Sequence, residues 1–188
     1  MYEKEKEEII KAALLLKEYR LISLSGGNVS IRTPEGHVIA TPSGMFYETM
    51  VADDAVVLDI EGNTIEGKRK VSVDIEAILY ILKNMPEVNA VIHTHQVYAS
   101  AVGLVEDVLP AAVTTLPNVC LGPVTVAPFS SAASLEMGIT AVKYINNKRA
   151  DFRENRTGGV FIVFLFIIIK NMRGKNWFCK IKKEFLMQ

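Results

Sequence analysis

The sequence predicts a single α/β domain, because segments with helical and strand patterns alternate along its 188 residues. Residues 75–85 follow a favourable N-cap, Ser72, and stop before Pro86, which predicts a helix. Residues 88–92 are short, apolar and β-branched, which predicts a buried strand. A chain of this length buries enough apolar surface for a proper core.

Further elements follow the same patterns. A short strand is predicted around residues 38–40, and the turn residues 59–63 predict a hairpin between two short strands. Residues 160–169 form an apolar run that is too short to span a membrane and therefore predicts a buried strand. An amphipathic helix opens the chain, and its expected buried stripe is Ile9, Ile10, Ala13, Leu14, Leu16 and Leu21.

The most informative motif is His93-Thr94-His95 at the end of the strand predicted over residues 88–92. Side chains two residues apart on a strand point to the same face, so both imidazoles lie side by side. Two neighbouring imidazoles suit Zn²⁺ or a similar divalent metal. The alternative is a pair of partly exposed polar residues that close a strand.

Three further segments are candidates for ligand binding. Asp74 is expected in the first turn of the helix predicted over 75–85, where the helix dipole stabilises a carboxylate and the helix start can hold an anion. Residues 25–30 contain Gly-Gly-Asn and predict a loop whose backbone amides approach a ligand closely, as a phosphate site needs. Residues 41–44, Thr-Pro-Ser-Gly, predict a second such loop. Taken singly, each loop also fits an ordinary tight turn.

These motifs, in this order and at this spacing, resemble the class II aldolase/adducin family, which includes L-fuculose-phosphate aldolases and L-ribulose-5-phosphate 4-epimerases. The resemblance covers roughly residues 5–150, and Val126-Ala127-Pro128-Phe129 is a further matching segment within this range. It implies a three-layer α/β/α fold around a mostly antiparallel central sheet. It also implies a lyase or epimerase of carbohydrate metabolism that acts on a phosphorylated ketose or a related small sugar.

The resemblance implies a role for each matching position. His93 and His95 match two of the three metal-binding histidines, and Asp74 matches the acid/base carboxylate. The rival carboxylate, Glu76, is expected on another side of the helix. Val73 departs from the serine that is common in the family beside Ser72. The positions that match the substrate-phosphate site are Gly27, Asn28, Ser43, Gly44 and Ser72.

The family's third metal-binding histidine has no counterpart in this sequence. The chain has three histidines, and the third, His37, matches no ligand position. Arg156 lies near the expected place, but a protonated guanidinium does not bind a metal. We therefore expect Zn²⁺, or another divalent metal, to bind more weakly than in a three-histidine site.

The sequence also divides by composition. Residues 1–150 are interpreted as the class II aldolase/adducin-like domain, and 151–188 as an atypical C-terminal tail of the same domain. The tail carries eight Lys/Arg against three Asp/Glu, whereas the first 150 residues carry thirteen against eighteen. Two origins of the tail remain open, a frameshifted or truncated terminus and genuine divergence.

Composition limits the class of function. The net charge is zero, which gives no nucleic-acid signature, and no membrane partner is expected. Two widely spaced cysteines, Cys120 and Cys179, fit a reducing cytoplasm. The family implies a homo-oligomer, typically a tetramer. Two functions stay open. The first is a metal-dependent aldolase or epimerase, where the aldolase would cleave a ketose phosphate through an enediolate. The second is a non-catalytic, adducin-like assembly domain with a degraded metal site.

Overall fold

A mixed sheet of nine strands runs through the described part of the chain. The computed structural model describes residues 1–109, 123–145, 150–153 and 165–170. The spatial order of the strands is β4-β3-β2-β1-β5-β9-β8-β7-β6, and every neighbouring pair is antiparallel except β7 and β8. The strands are β1 Asn28–Arg32, β2 Val38–Ala40, β3 Val56–Leu58, β4 Thr64–Glu66, β5 Val88–Thr94, β6 Val108–Leu109, β7 Val124–Ala127, β8 Ala150–Arg153 and β9 Leu165–Lys170.

Helices cover both faces of this sheet. They are α1 Glu3–Glu18, α2 Ile75–Asn84, α3 Val97–Gly103 and α4 Leu135–Ile145. Helix α1 packs on one face, whereas α2 and α4 pack on the other. The three-layer α/β/α architecture with a mostly antiparallel sheet is therefore confirmed.

The α1 face has an apolar core built by strand alternation. Val29 and Ile31 of β1 and Ile92 of β5 point to this side, and all three are buried. Helix α1 contributes most of its predicted stripe, but the prediction for Leu14 was wrong, because its side chain is 37% exposed. Ala12, which the prediction left out, is buried instead. The helix is thus rotated slightly from the face that apolar spacing alone favours.

The opposite face carries a second apolar core, between the sheet and the helices α2 and α4. A register shift in β5 between Val88 and Ala90 puts both Val88 and Val91 on this face. From Val91 onward the strand alternates regularly, which places His93 on the same side. The α2–α4 face of β5 is therefore apolar in its middle and ends in a histidine.

Two other predicted elements are present. Residues 59–63 connect β3 to β4, and Asp59 accepts hydrogen bonds from both the backbone and the side-chain nitrogen of Asn63, as expected for a hairpin turn. The apolar run in the tail contributes β9, Leu165–Lys170, which pairs with β5 and β8. Residues 160–164 of that run and Arg156 lie outside the described residues. Within the described residues, no helix is long and apolar enough to cross a membrane.

Candidate active site

The two histidines of the His-Thr-His motif lie together at the end of β5. The ring centroids of His93 and His95 are 4.8 Å apart, with an interplanar angle of 53°. His93 is buried and His95 is half-buried. The backbone N–H of His95 donates to the carbonyl of Leu21, which holds the residue after the strand has ended. The prediction that both imidazoles converge is confirmed.

Asp74 lies in direct contact with His93. Its Oδ2 is 2.9 Å from His93 Nδ1. The expectation from the motif order, a carboxylate that faces both imidazoles across a cleft, was wrong in this respect. Helix α2 begins at Ile75, as predicted, but Asp74 occupies the N-cap position and not the first helical turn, so the N-cap assignment to Ser72 was wrong by two residues. The Ser72 hydroxyl accepts from Asn28 Nδ2 and from the Asp74 backbone N–H.

Asn28, on the neighbouring strand β1, connects Ser72 and Asp74 by hydrogen bonds. Its register partner across the β1–β5 pair is His93, so both side chains lie on the same face. The Asn28 Nδ2 donates to Asp74 Oδ2 at 2.9 Å and to Ser72 Oγ at 3.1 Å. With 1% of its surface exposed, Asn28 directs its amide into this network, and its side chain does not line the neighbouring cavity.

The protonation states of the cluster follow from its contacts. Burial works against ionisation of Asp74 and would raise its pKa. The hydrogen bond with His93, the electrostatic attraction of His93 and His95, and the hydrogen bond from the Asn28 amide outweigh burial, so the pKa of the carboxyl group is lowered. A carboxylate can only accept, so the hydrogen bond between the two residues requires a proton on His93 Nδ1. Burial, followed by repulsion from His93, lowers the pKa of His95 to about 4, so this imidazole is neutral near pH 7.

A cavity of about 210 Å³ opens beside the cluster. It brings together most of the residues that the sequence predicted for the site. Among the described residues that line it, none is lysine or arginine. Its walls are Ser25, Gly26, Gly27, Pro42, Ser43, Gly44, Ser72, Val73, Asp74, His93, His95 and Ala132.

The first loop approaches the histidine strand so closely that it needs glycine. At Gly27, which has a φ of +73°, a Cβ atom would lie 2.5 Å from the carbonyl oxygen of His93. At Gly26 a Cβ atom would lie 3.0 Å from His95 Nδ1. This loop therefore forms a wall of the cavity directly against the two imidazoles.

The second loop offers fewer backbone donors than the sequence suggested. The N–H of Ser43 donates to the carbonyl of Lys70 at 2.9 Å, so Ser43 can serve a ligand only through its hydroxyl. Val73, with 66% of its surface exposed, presents an apolar side chain to the cavity. An anion here would meet hydroxyl and backbone N–H groups instead of side-chain cations.

The donor set is suitable for part of a metal site. A histidine that donates from one ring nitrogen to a carboxylate keeps the other nitrogen for a metal, and the carboxylate fixes the orientation of the ring. His93, supported by Asp74, and neutral His95 fit two ligand positions. Across the described residues, however, no group of three His, Cys, Asp or Glu side chains could hold a metal ion. Water, or groups outside the described residues, would have to complete the coordination.

Three contributors to the site were not predicted individually from the sequence. Gly26 was predicted only as part of its loop, and Ala132 lines the cavity from a segment that carries no motif. Tyr47 lies outside the cavity, but its buried hydroxyl donates to the carbonyl of Gly27 at 2.7 Å. No spacing rule points to these residues, because they meet the site only through the tertiary fold.

Comparisons with known proteins agree with this geometry. Residues 7–160 match the family model of the class II aldolase and adducin N-terminal domain. An L-fuculose 1-phosphate aldolase superposes with a TM-score of 0.79 at 28% identity, over 89% of this chain and 76% of that one. The L-fuculose-1-phosphate aldolase from Thermus thermophilus gives a TM-score of 0.72 at 20% identity, over 86% and 77%. YgbL from Escherichia coli, described as a putative aldolase/epimerase/decarboxylase, gives 0.75 at 18% identity, over 90% and 80%.

The family model covers most of the chain, and the candidate site lies within the matched residues. The chain therefore belongs to the class II aldolase and adducin family. The structures below 25% identity support the fold alone. The similarity to L-fuculose 1-phosphate aldolase suggests an aldolase-type enzyme.

Proposed function

We propose that this chain is a metal-dependent sugar-phosphate aldolase or epimerase, with Asp74, His93 and His95 at its reactive centre. The observation that carries the proposal is the contact between the Asp74 carboxylate and His93, beside His95 and at the wall of the cavity. Buried carboxylates in direct contact with imidazoles are costly in a core and are typical of functional sites. A structural core would have apolar side chains at these positions.

Asp74 is the group we assign to proton transfer. Retro-aldol cleavage removes a proton from the hydroxyl of the carbon that leaves as the aldehyde, and the broken C–C bond leaves its electrons on the other fragment. An ionised carboxylate at the cavity wall can accept that proton. A divalent metal such as Zn²⁺, when bound by His93 and His95, would polarise the substrate carbonyl.

The non-reacting phosphate of the substrate is assigned to the glycine loops. Gly27, Ser43, Gly44 and Ser72 line one cavity beside the histidines. Hydroxyl and backbone N–H groups can hold a phosphate without a cation, and this anchoring orients the reacting carbons. Asn28 is not among the residues that line the cavity, and its buried amide supports a role in positioning Ser72 and Asp74 instead of direct phosphate contact.

We further propose a homo-oligomer in the cytoplasm. Helix α3 and the residues after it expose several large apolar side chains within a short stretch of chain, which is unusual for a surface without a partner. Val97, Tyr98 and Val105 are 65%, 79% and 77% exposed. The cytoplasmic assignment rests on the two widely spaced cysteines of the sequence.

The test compares two carboxylates on the same helix segment. Asp74→Asn keeps the side chain's shape and removes its base, so we expect kcat for cleavage of a ketose 1-phosphate to fall by about 10²-fold or more. Glu76→Gln, at an exposed position two residues further on, is the matched control and should leave kcat unchanged. Both variants are assayed with added Zn²⁺ and with other divalent metals.

Equal activity of the Asp74→Asn variant and the wild-type protein would refute the assignment of the base. A wild-type protein that cleaves or epimerises no phosphorylated ketose with any divalent metal would refute the enzymatic proposal as a whole.

A further inference from the structure

Tyr47 connects the two glycine loops. It begins a 3-10 helix, Tyr47–Thr49, three residues after Gly44 of the second loop. Its hydroxyl reaches back to the first loop, where it donates to the carbonyl of Gly27 at 2.7 Å and lies 3.5 Å from the carbonyl of Gly26. One side chain, close in sequence to one lining loop, is therefore hydrogen-bonded to the other.

The contact is well placed to act on the site. Only 2% of the surface of Tyr47 is exposed, so the phenol does not contact a ligand in the cavity. Gly27, which receives its hydrogen bond, packs against the backbone carbonyl of His93. A displacement of Gly27 would therefore change both the width of the cavity and the packing of the loop against the histidine strand.

We propose that Tyr47 is a positioning residue that holds the Gly26–Gly27 loop at a set distance from the Ser43–Gly44 loop, and so sets the width of the anion-binding cavity. Burial raises the pKa of Tyr47 to about 12, against the opposing effect of a hydrogen bond with Thr41. The hydroxyl therefore remains a donor over the whole working pH range. The link to anion binding rests on the function proposed above, whereas the link to loop position does not.

Tyr47→Phe tests the proposal, because it keeps the buried ring and removes only the hydroxyl. We expect the amide of Gly26, which donates to the carbonyl of Ser23, to exchange with solvent about tenfold faster once the loop loses the hydrogen bond from Tyr47 to Gly27, which is the factor that one ordinary hydrogen bond contributes. Hydrogen exchange measured by NMR reports this for each residue. We also expect the Kd for inorganic phosphate, measured by titration, to rise by about three- to tenfold.

Two control variants separate positioning from general loss of stability. Ile145→Val removes a buried methyl group from the α2–α4 core, whereas Tyr47 belongs to the α1 core, and it should lower the global stability without a selective change in the loop. Tyr19→Phe removes a hydroxyl from a tyrosine that is 43% exposed and should change neither quantity. If Tyr47→Phe folds poorly, exchange at Gly26 is compared with exchange of the β5 amides in the same variant, because a general loss of stability would speed both and a positioning role would speed Gly26 selectively.

The outcomes distinguish the two proposals. Faster exchange confined to the loop together with weaker phosphate binding supports both of them. Faster loop exchange in a protein that does not bind phosphate at all would confirm the positioning of the loop and overturn the phosphate assignment. Unchanged exchange at Gly26 in the Tyr47→Phe variant would overturn the role of Tyr47, whatever the phosphate affinity.

Discussion

The two faces of the sheet are built from the same strands and have different uses. On the α1 face, β1 and β5 contribute Val29, Ile31 and Ile92, and the packing is continuous and apolar. On the α2–α4 face, the alternate residues of β5 begin as Val91 and end as His93, with Asn28 opposite. Strand alternation thus lets one pair of strands support an apolar core on one face and a polar cluster on the other.

The difference shows where the domain can tolerate polar groups. His93 and Asn28 are buried, but each has polar neighbours within hydrogen-bond distance, and the cluster lies at the end of the strand beside an open cavity. A buried charged group of the α1 face, Lys6, instead forms an ion pair with Glu66 at the edge of the sheet. We interpret the first arrangement as functional and the second as structural.

The largest expected effect comes from the contact between the two helices of the site face. Gly138 of α4 lies against α2 so closely that a Cβ atom would be 2.7 Å from the carbonyl oxygen of Ala77. Gly138→Val should therefore lower the free energy of unfolding by about 3 kcal/mol, because backbone atoms cannot move aside easily. Urea denaturation measures this change.

The neighbouring position provides the control. The control variant is Ile139→Val, at a position that is 43% exposed. It should lower the free energy of unfolding by less than about 0.5 kcal/mol. Equal stability of the two variants would contradict the close packing of α2 on α4.

A smaller effect is expected on the α1 face. Lys6 Nζ is 2.5 Å from Glu66 Oε1, and the lysine side chain is 2% exposed. Glu66→Ala leaves this ammonium buried without its carboxylate and should lower the free energy of unfolding by about 2 kcal/mol. Breaking a fully buried pair would lower it more, but Glu66 is one-third exposed and its charge is partly screened. The double variant Lys6→Met with Glu66→Ala should regain most of the loss, and failure to regain it would contradict this explanation.

The same pair makes stability depend on pH. The hydrogen bond from Lys6, followed by that from the N-terminal amine, lowers the pKa of Glu66 from its ordinary value of 4.5. A lowered carboxyl pKa contributes stability above the unfolded-state value, and this contribution is lost as the pH falls through the folded-state value. The difference in urea midpoint between wild-type protein and Glu66→Ala should therefore shrink as the pH is lowered below about 4.5.

Sequence patterns were sufficient where a feature is local. The two-residue spacing of His93 and His95 at the end of β5 brought both imidazoles together as predicted, and the hairpin at residues 59–63 followed from its turn residues. The start of α2 at Ile75 was also predicted, but the N-cap position is occupied by Asp74 and not by Ser72, whose hydroxyl accepts from Asn28, 44 residues away in sequence.

Features that depend on contacts between distant segments could not be predicted. The burial of Lys6 requires Glu66 from β4, which no helical pattern can anticipate. Tyr47 has the character of an ordinary core aromatic until the fold brings its hydroxyl to Gly27. The direct contact between Asp74 and His93 depends on how α2 meets β5, and the motif spacing gave only their proximity.

The central claim is that the polar end of the α2–α4 face binds a divalent metal through His93 and His95. Zinc titration by calorimetry, on the wild-type protein and on His93→Gln, His95→Gln and His37→Gln, tests this most directly. His37, which contacts Tyr2 near the start of α1, is the matched control. We predict one zinc per chain, a Kd raised at least about tenfold by either site variant, and no change in His37→Gln. Zinc binding that survives in both His93→Gln and His95→Gln, or that is lost in His37→Gln, would contradict the claim.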